Sequence, residues 1–414
     1  MTSQRENWLL FTLAGIQFTS ILDFMIMMPL GPQFTRIFNI NEAQFGLLVS
    51  AYTLAAGFAG LAASTFIERF SRKRMLLTLY VFFCLAGLAC ALAPGYGALM
   101  AARIAAGLFG GILSSMAQTI VADVIPFERR GRAMGIVMTS FSAASVAGVP
   151  TGLWLADRYG WHAPFFAIVG LSVVLGVFAA ITLPALDAHM GSGAQTSAFK
   201  RIRPVLGESN HHRAFLLSAL MMFGGFTVVP YIAINLQYGV GLRQDQIFQV
   251  YLFGGLGALL LARWFGRLSD RWGKVKTFRL MAVAVILPMF ATTLMPFGAP
   301  MWAVLGTSTL FMICMNGRMI PGMALVSSAA NPALRGTFMT LNSSAQSAAM
   351  GCAAFVGGML IGRNAEGHIE HYWMTAVVGT VASLASVWLA GRLTLHTVQA
   401  PNRGASLTNA NDTL

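Results

Sequence analysis

Long apolar runs recur along this chain, broken by short polar clusters. They lie at approximately 8–30, 44–67, 75–93, 96–124, 133–155, 163–183, 214–237, 246–266, 277–297, 301–326, 337–361 and 372–395. A helix needs about 20 mostly apolar residues to cross a bilayer, whereas a barrel strand needs only about 9–11. The pattern therefore predicts an all-α membrane protein with twelve spanning helices. The first run, Trp8 to Leu30, exceeds a signal-peptide core and no small-residue cleavage pattern follows it, so it reads as a retained span. The longest polar connection, Pro184 to His212, falls midway. It sets the expected organisation: a first six-helix bundle over 1–184, a flexible cytoplasmic linker over 185–212, a second bundle over 213–396 and a polar tail over 397–414.

Composition sharpens this picture. Only 10% of the 414 residues are charged and 56% are hydrophobic, against about 25% charged in soluble domains. There is too little polar surface to coat a water-exposed globule, which excludes a soluble enzyme, a disordered scaffold and a secreted disulfide module. The formal net charge of +13 does not indicate a nucleic-acid partner, because the basic residues cluster between apolar runs instead of lining one face. With both termini placed in the cytoplasm, twenty-one Lys and Arg fall on the inner side and four (Arg36, Arg158, Arg243 and Arg363) on the outer side. Arg103 and Arg318 lie inside spans. This bias fits an even number of spans with both ends inside. Cys84, Cys90, Cys314 and Cys352 sit in apolar stretches and read as small core residues, and the seven histidines lie in connections or near chain ends. No metal or other cofactor is expected. A Walker-type phosphate loop is absent, which excludes a self-contained ATP-driven pump.

The two halves echo each other. Ser64-Thr-Phe-Ile-Glu68-Arg69-Phe-Ser71-Arg72-Lys73-Arg74 follows the second run, and Gly266-Arg-Leu-Ser-Asp270-Arg271-Trp-Gly273-Lys274-Val-Lys276 follows the eighth, offset by 202. Ala93-Pro94 recurs as Ala299-Pro300 and Arg130-Gly131 as Arg335-Gly336, at offsets of 206 and 205. Near-constant offsets indicate an internal duplication of six helices. In each loop, a small residue four before the acid lets neighbouring helices approach, and the basic residues hold the loop at the interface.

The loop pattern Gly-x-x-x-Asp-Arg-x-Gly-x-x-Lys/Arg resembles the signature of the major facilitator superfamily. The second copy matches it well. The first departs at Ser64, Glu68 and Ser71, which puts tight packing there in question. The resemblance covers the chain to about Leu395. It implies two pseudo-symmetric bundles, and it assigns Asp123, at the end of span four, to a latch with Arg72; a plain interfacial anchor is the other reading of Asp123. Span five carries Gly148-Val-Pro150-Thr-Gly152, an imperfect likeness of the family's antiporter signature, in which glycines allow close packing and proline softens the helix.

Asp23 is the one acid well inside a span, where a charge costs several kcal/mol unless paired, hydrated or neutralised. At about 1.5 Å per residue it lies roughly 22 Å from Trp8, and Arg103 lies about 13 Å beyond Pro94, so the two agree in depth. Thr19, Asp23 and Met27 share one helical face. Arg103, Gly107, Gly110, Gly111, Ser114 and Gln118 form a small, polar stripe able to line water. Arg103-x-x-x-Gly107 resembles the span-four signature of proton-coupled drug exporters in the superfamily, which implies a part for Arg103 in proton transfer. Asp23 and Arg103 are thus expected to communicate, with a static ion pair as the alternative. Arg318 has no counterpart in span four. It is expected either to face the cavity, binding an anionic group or helping to gate, or to snorkel to the headgroups. Tyr231 and Asn235 in span seven and Asn342 and Gln346 in span eleven complete, with Thr19 and Gln118, the candidate pocket.

Together these features point to a monomeric secondary transporter in the bacterial cytoplasmic membrane, exporting a small organic solute, drug or metabolite, against protons. A proton symporter or uniporter importing a nutrient would use the same fold. A non-transporting receptor or membrane enzyme is a remote third reading.

Overall fold

The computed structural model describes residues 3–66, 70–183, 198–332 and 334–396. Among them eleven helices are long and apolar enough to cross a membrane: Glu6–Ile26, Glu42–Ala63, Arg72–Ala91, Tyr96–Val121, Arg132–Tyr159, His162–Thr182, Ser209–Gly239, Gln244–Trp272, Lys274–Thr293, Met301–Ala329 and Tyr372–Ala390. The remaining expected span is the helix Arg335–Leu360. It is long enough but less apolar, because Asn342, Ser343, Ser344, Gln346 and Ser347 crowd its first half. Counted in chain order these are spans one to twelve, with Arg335–Leu360 as span eleven.

Large apolar side chains face outward, where only lipid suits them. Ile181 and Trp302 are each 78% exposed. Inside, one buried cluster fills the first bundle around Leu13, Tyr80 and Phe83, and another fills the second around Leu217, Phe278 and Phe338. A third runs across both bundles, joining Phe34, Phe45 and Phe165 to Tyr231 and Ile234 at the end opposite the chain termini.

Several details correct the sequence reading. Span one ends at Ile26 and is followed by the short helix Gly31–Ile37, which Pro32 helps to start. Part of the expected flexible linker is ordered: Ala198–Gly207 is a helix whose Val205 is fully buried, because its apolar residues recur at helical spacing. Residues 184–197 and 397–414, with Glu68 and Arg69, lie outside the described residues.

Span five contains a π-helical turn, Ala144–Gly148, that ends two residues before Pro150, and span seven contains another, Asn235–Gly239. Proline has no N–H to give the preceding turn, so a widened turn there accommodates the missing bond. Gly148 and Gly152 seat span five on Leu22 and Ile26 of span one, where a Cβ at either position would intrude.

Candidate functional site

Asp23 and Arg103 meet. Arg103 Nη1 donates to Asp23 Oδ2 at 2.9 Å and to the Asp23 backbone carbonyl at 3.2 Å, and both side chains are essentially inaccessible. The pair leaves much unused: Asp23 Oδ1 and Arg103 Nε and Nη2 are buried with no hydrogen-bond partner among the described residues. A guanidinium can give five hydrogen bonds, and unmet ones cost about 1–3 kcal/mol each. The pair is therefore incompletely satisfied by its surroundings.

Tyr52 of span two stands beside it. The Arg103 guanidinium carbon lies 4.3 Å from the Tyr52 ring centroid, a cation–π contact. The hydroxyl donates to the Ser20 carbonyl at 3.3 Å, and the ring stacks on Phe24, with centroids 5.4 Å apart. The sequence reading did not single out Tyr52. Its one local signal is being a lone phenol in the small-residue run Ala51 to Ser64.

Tyr52 and Phe24 also line a cavity of about 160 Å³ between the bundles. Its walls come from spans one, two and four on one side and from span eleven on the other, and are mostly serine and glycine: Ser20, Gly57, Gly110, Ser114, Ser344 and Ser347 among them. Only part of the expected water-lining stripe faces it. Gly110, Gly111 and Ser114 line it, while Gly107 and Gly111 pack on the backbone of Tyr52 and Ala56, where a Cβ would strike their carbonyl oxygens, so these two glycines seat span four against span two.

None of the seven expected pocket residues lines this cavity. The Thr19 hydroxyl turns back into the first bundle, 2.9 Å from the Tyr80 hydroxyl. Gln118 is half-buried one turn beyond Ser114. Tyr231 is fully buried at the far closure, donating to the Ala354 carbonyl and packed edge-on against Phe45. Asn235 points to the Thr292 carbonyl, at 3.4 Å, and Gln346 to Met323 Sδ. Asn342 is buried within span eleven. For Thr19, Tyr231, Asn235 and Gln346, meeting a partner inside their own bundle lowers the desolvation cost, and that preference outweighed facing the solute path; Asn342 is buried with its Oδ1 unpartnered among the described residues.

Arg318 neither faces Asp23 nor reaches the headgroups. It is buried within the second bundle, donating to the Met221 carbonyl at 2.8 Å and to Ser383 Oγ at 3.0 Å. It joins spans ten, seven and twelve.

The loop residues divide similarly. Arg72, nearly buried, pairs with Asp123 through Nε–Oδ2 at 3.1 Å. The side chain of Ser64 is not described. In the second copy Gly266, Asp270, Arg271 and Gly273 lie toward the surface, and Lys274 instead reaches Ser328 Oγ at 2.6 Å. Gly273 turns with φ of 86°, a backbone that favours glycine. Its counterpart Ser71 has φ of −54°, which explains why a serine suffices there.

At the end opposite the termini the bundles are tied together. Arg363 Nε pairs with Glu42 Oε1 at 2.6 Å, and its guanidinium covers the Tyr238 ring at 4.3 Å. The Tyr238 hydroxyl donates to the Pro32 carbonyl at 3.1 Å, and Ser50 Oγ donates to the Gly351 carbonyl at 2.6 Å. The sequence reading gave Arg363 only a topological part. Its connection is a small hairpin, Gly362–Arg363 against Ile369–Glu370, which aims it across the gap. Among the described residues no group of three or more His, Cys, Asp or Glu side chains is placed to hold a metal ion.

Two six-helix bundles enclosing a small cavity beside an embedded ion pair define an integral membrane transporter. The chain belongs to the Major Facilitator Superfamily, whose model matches residues 13–354. It is 25% identical over 354 residues to the uncharacterized MFS-type transporter YtbD of Bacillus subtilis (strain 168), covering 84% of this chain and 87% of that one. It is 26% identical to the inner membrane transport protein YdhP of Escherichia coli (strain K12), over 69% and 73% of the two chains. The crystal structure of a D-xylose-proton symporter superposes with a TM-score of 0.72 at 18% identity, covering 92% of this chain and 96% of that one; this shows the shared fold alone.

Proposed function

We propose that this transporter exports a small organic solute in exchange for protons, by alternating access of the cavity between the bundles. The observation that carries this reading is the buried Asp23–Arg103 pair, held 2.9 Å apart yet left with unpartnered atoms on both sides. An embedded carboxylate is maintained at a cost of several kcal/mol, and a proton is the one cargo that removes its charge. Arg103 favours the ionised form. A rotation of Tyr52, which touches both Arg103 and the cavity, weakens that hold and lets Asp23 take a proton. Each inward proton supplies about 2.3 kcal/mol per 100 mV of membrane potential.

On this reading the chain termini lie in the cytoplasm of a bacterial cell and the Arg363–Glu42 end faces outward. The two bundles, 1–184 and 213–396, act as a monomer around the site, and the described state is closed to the outside. Export is favoured over import by the Arg103-x-x-x-Gly107 and Gly148-Val-Pro150-Thr-Gly152 signatures.

The test is Asp23→Asn in proteoliposomes with an imposed pH gradient. Loss of pH-driven solute movement with retained solute exchange is the expected result. Full pH-driven export by the variant would refute Asp23 as the coupling group, and solute uptake in the direction of proton flow would replace export by symport.

A further inference from the structure

Taking the cavity between the bundles as the transport site proposed above, we infer that it receives a small, uncharged, hydroxyl-rich solute of monosaccharide size. The first ground is size. At about 160 Å³ the space falls below the roughly 300–1,000 Å³ of sites for drug-sized ligands.

The second ground is charge. Among the described residues no Asp, Glu, Lys, Arg or His lines the cavity. Asp23 and Arg103 are engaged with each other behind Tyr52, and Arg318 is turned into the second bundle toward Met221 and Ser383. A charged solute would shed its hydration here without meeting a counter-charge, which is strongly unfavourable. An uncharged solute does not incur that cost.

The third ground is the kind of polarity present. Ser20, Ser114, Ser115, Ser343, Ser344 and Ser347 bring hydroxyls from both bundles. Ser115 already donates to the Gly111 carbonyl at 3.1 Å and Ser114 accepts from Gln17 at 3.2 Å, but a hydroxyl can both donate and accept, as can each hydroxyl of a polyol; a carboxylate or an ammonium offers only one of these. Ser20 Oγ is buried and has no hydrogen-bond partner among the described residues, although it belongs to the cavity wall. A buried hydroxyl left unmet is costly, and a solute hydroxyl that reaches it recovers that cost. On the first-bundle wall, the stacked rings of Phe24 and Tyr52 form an apolar plate suited to the C–H face of a sugar-like ring.

A charge series tests this on full-length protein in lipid nanodiscs. D-glucose and xylitol are compared with gluconate (anion), glucosamine (cation) and tetraphenylphosphonium (a bulky lipophilic cation), by titration calorimetry and thermal shift. At least one of the two neutral compounds is expected to bind with a Kd at least tenfold below those of all three ions. Ser344→Ala combined with Ser347→Ala is expected to weaken it about tenfold, and Ser20→Ala to weaken it by a smaller factor, with unliganded melting temperatures within a few degrees of the parent. Tighter binding of an ion, absence of binding by both neutral compounds, or indifference to all three serine substitutions overturns the inference. Asp23→Asn separates this from the coupling scheme. Neutral binding that survives while coupling is untouched by the substitution condemns only the coupling, and coupling lost as expected beside a cavity that ignores polyols condemns only the solute class.

Discussion

Lys274 donates to Ser328 Oγ at 2.6 Å, in the place where the first bundle has the Arg72–Asp123 ion pair at 3.1 Å. Lys274 stands 202 residues after Arg72, and Ser328 stands 205 after Asp123. The duplication has kept the contact between the start of one helix and the end of another, while exchanging a charged acceptor for a neutral one. The second latch is consequently the weaker electrostatically.

Ser328→Asp should turn the second latch into an ion pair like the first. Pairs this close to the surface contribute about 0–1 kcal/mol, so the melting temperature should rise by a few degrees at most, and Asp123→Ser should lower it comparably. Thermal melts repeated in about 1 M salt, where the screening length falls to roughly 3 Å, should erase most of both differences.

Glu42→Gln removes the charge that Arg363 meets across the bundles. A reagent confined to the Arg363 side should then reach a cysteine placed at Thr53, in a background lacking the four native cysteines, roughly tenfold faster, the shift expected for about 1.4 kcal/mol. The charge swap Glu42→Arg with Arg363→Glu should restore slow labelling. Unchanged labelling in the single variant would remove this pair from the closure.

Gly107→Ala and Gly135→Ala form a matched comparison. At Gly107 the new methyl strikes the Tyr52 carbonyl, whereas at Gly135 nothing lies within 4 Å. Overpacking against rigid backbone costs about 1–3 kcal/mol, so Gly107→Ala should lower the melting temperature and displace Tyr52 from Arg103. Gly135→Ala should not lower it, since alanine is the better helix former.

Arg318→Ala should act on stability and leave solute recognition alone. It deletes two hydrogen bonds from a charged donor, each contributing about 1.5–3 kcal/mol. A clear fall in melting temperature is expected, while KM for the transported solute stays within about twofold in the folded protein. A selective rise in KM would return Arg318 to the solute path.

The architecture was legible in the chain because lipid leaves few options: apolar run length, basic-residue bias and repeat spacing locate the helices and the two bundles with little ambiguity. The Asp23–Arg103 pair was legible for the same reason, since two embedded charges of opposite sign at one depth have few other partners. The cavity wall was not. Serine is too common in packed helices to announce itself, and whether Ser344 or the neighbouring Asn342 faces the solute path depends on a rotation that side-chain spacing alone does not fix. Arg318 shows the converse. Its charge drew attention, but a carbonyl and a hydroxyl hold it inside its own bundle, with its Nε left unpartnered among the described residues. The cross-bundle tie at Arg363 was hidden because its partner is 321 residues away in sequence.

The helix Arg335–Leu360 carries the serines of one cavity wall and packs along Glu42–Phe66. It is also the long helix whose composition falls short of a free-standing membrane span. Left alone in hydrocarbon, its hydroxyls and amides would be poorly accommodated. Biogenesis must therefore deliver it to a partner made some three hundred residues earlier, so the amino-terminal half serves as a docking template for the last part of the chain to be synthesised. The same polarity that equips the helix to meet solute makes its insertion depend on a companion already in place.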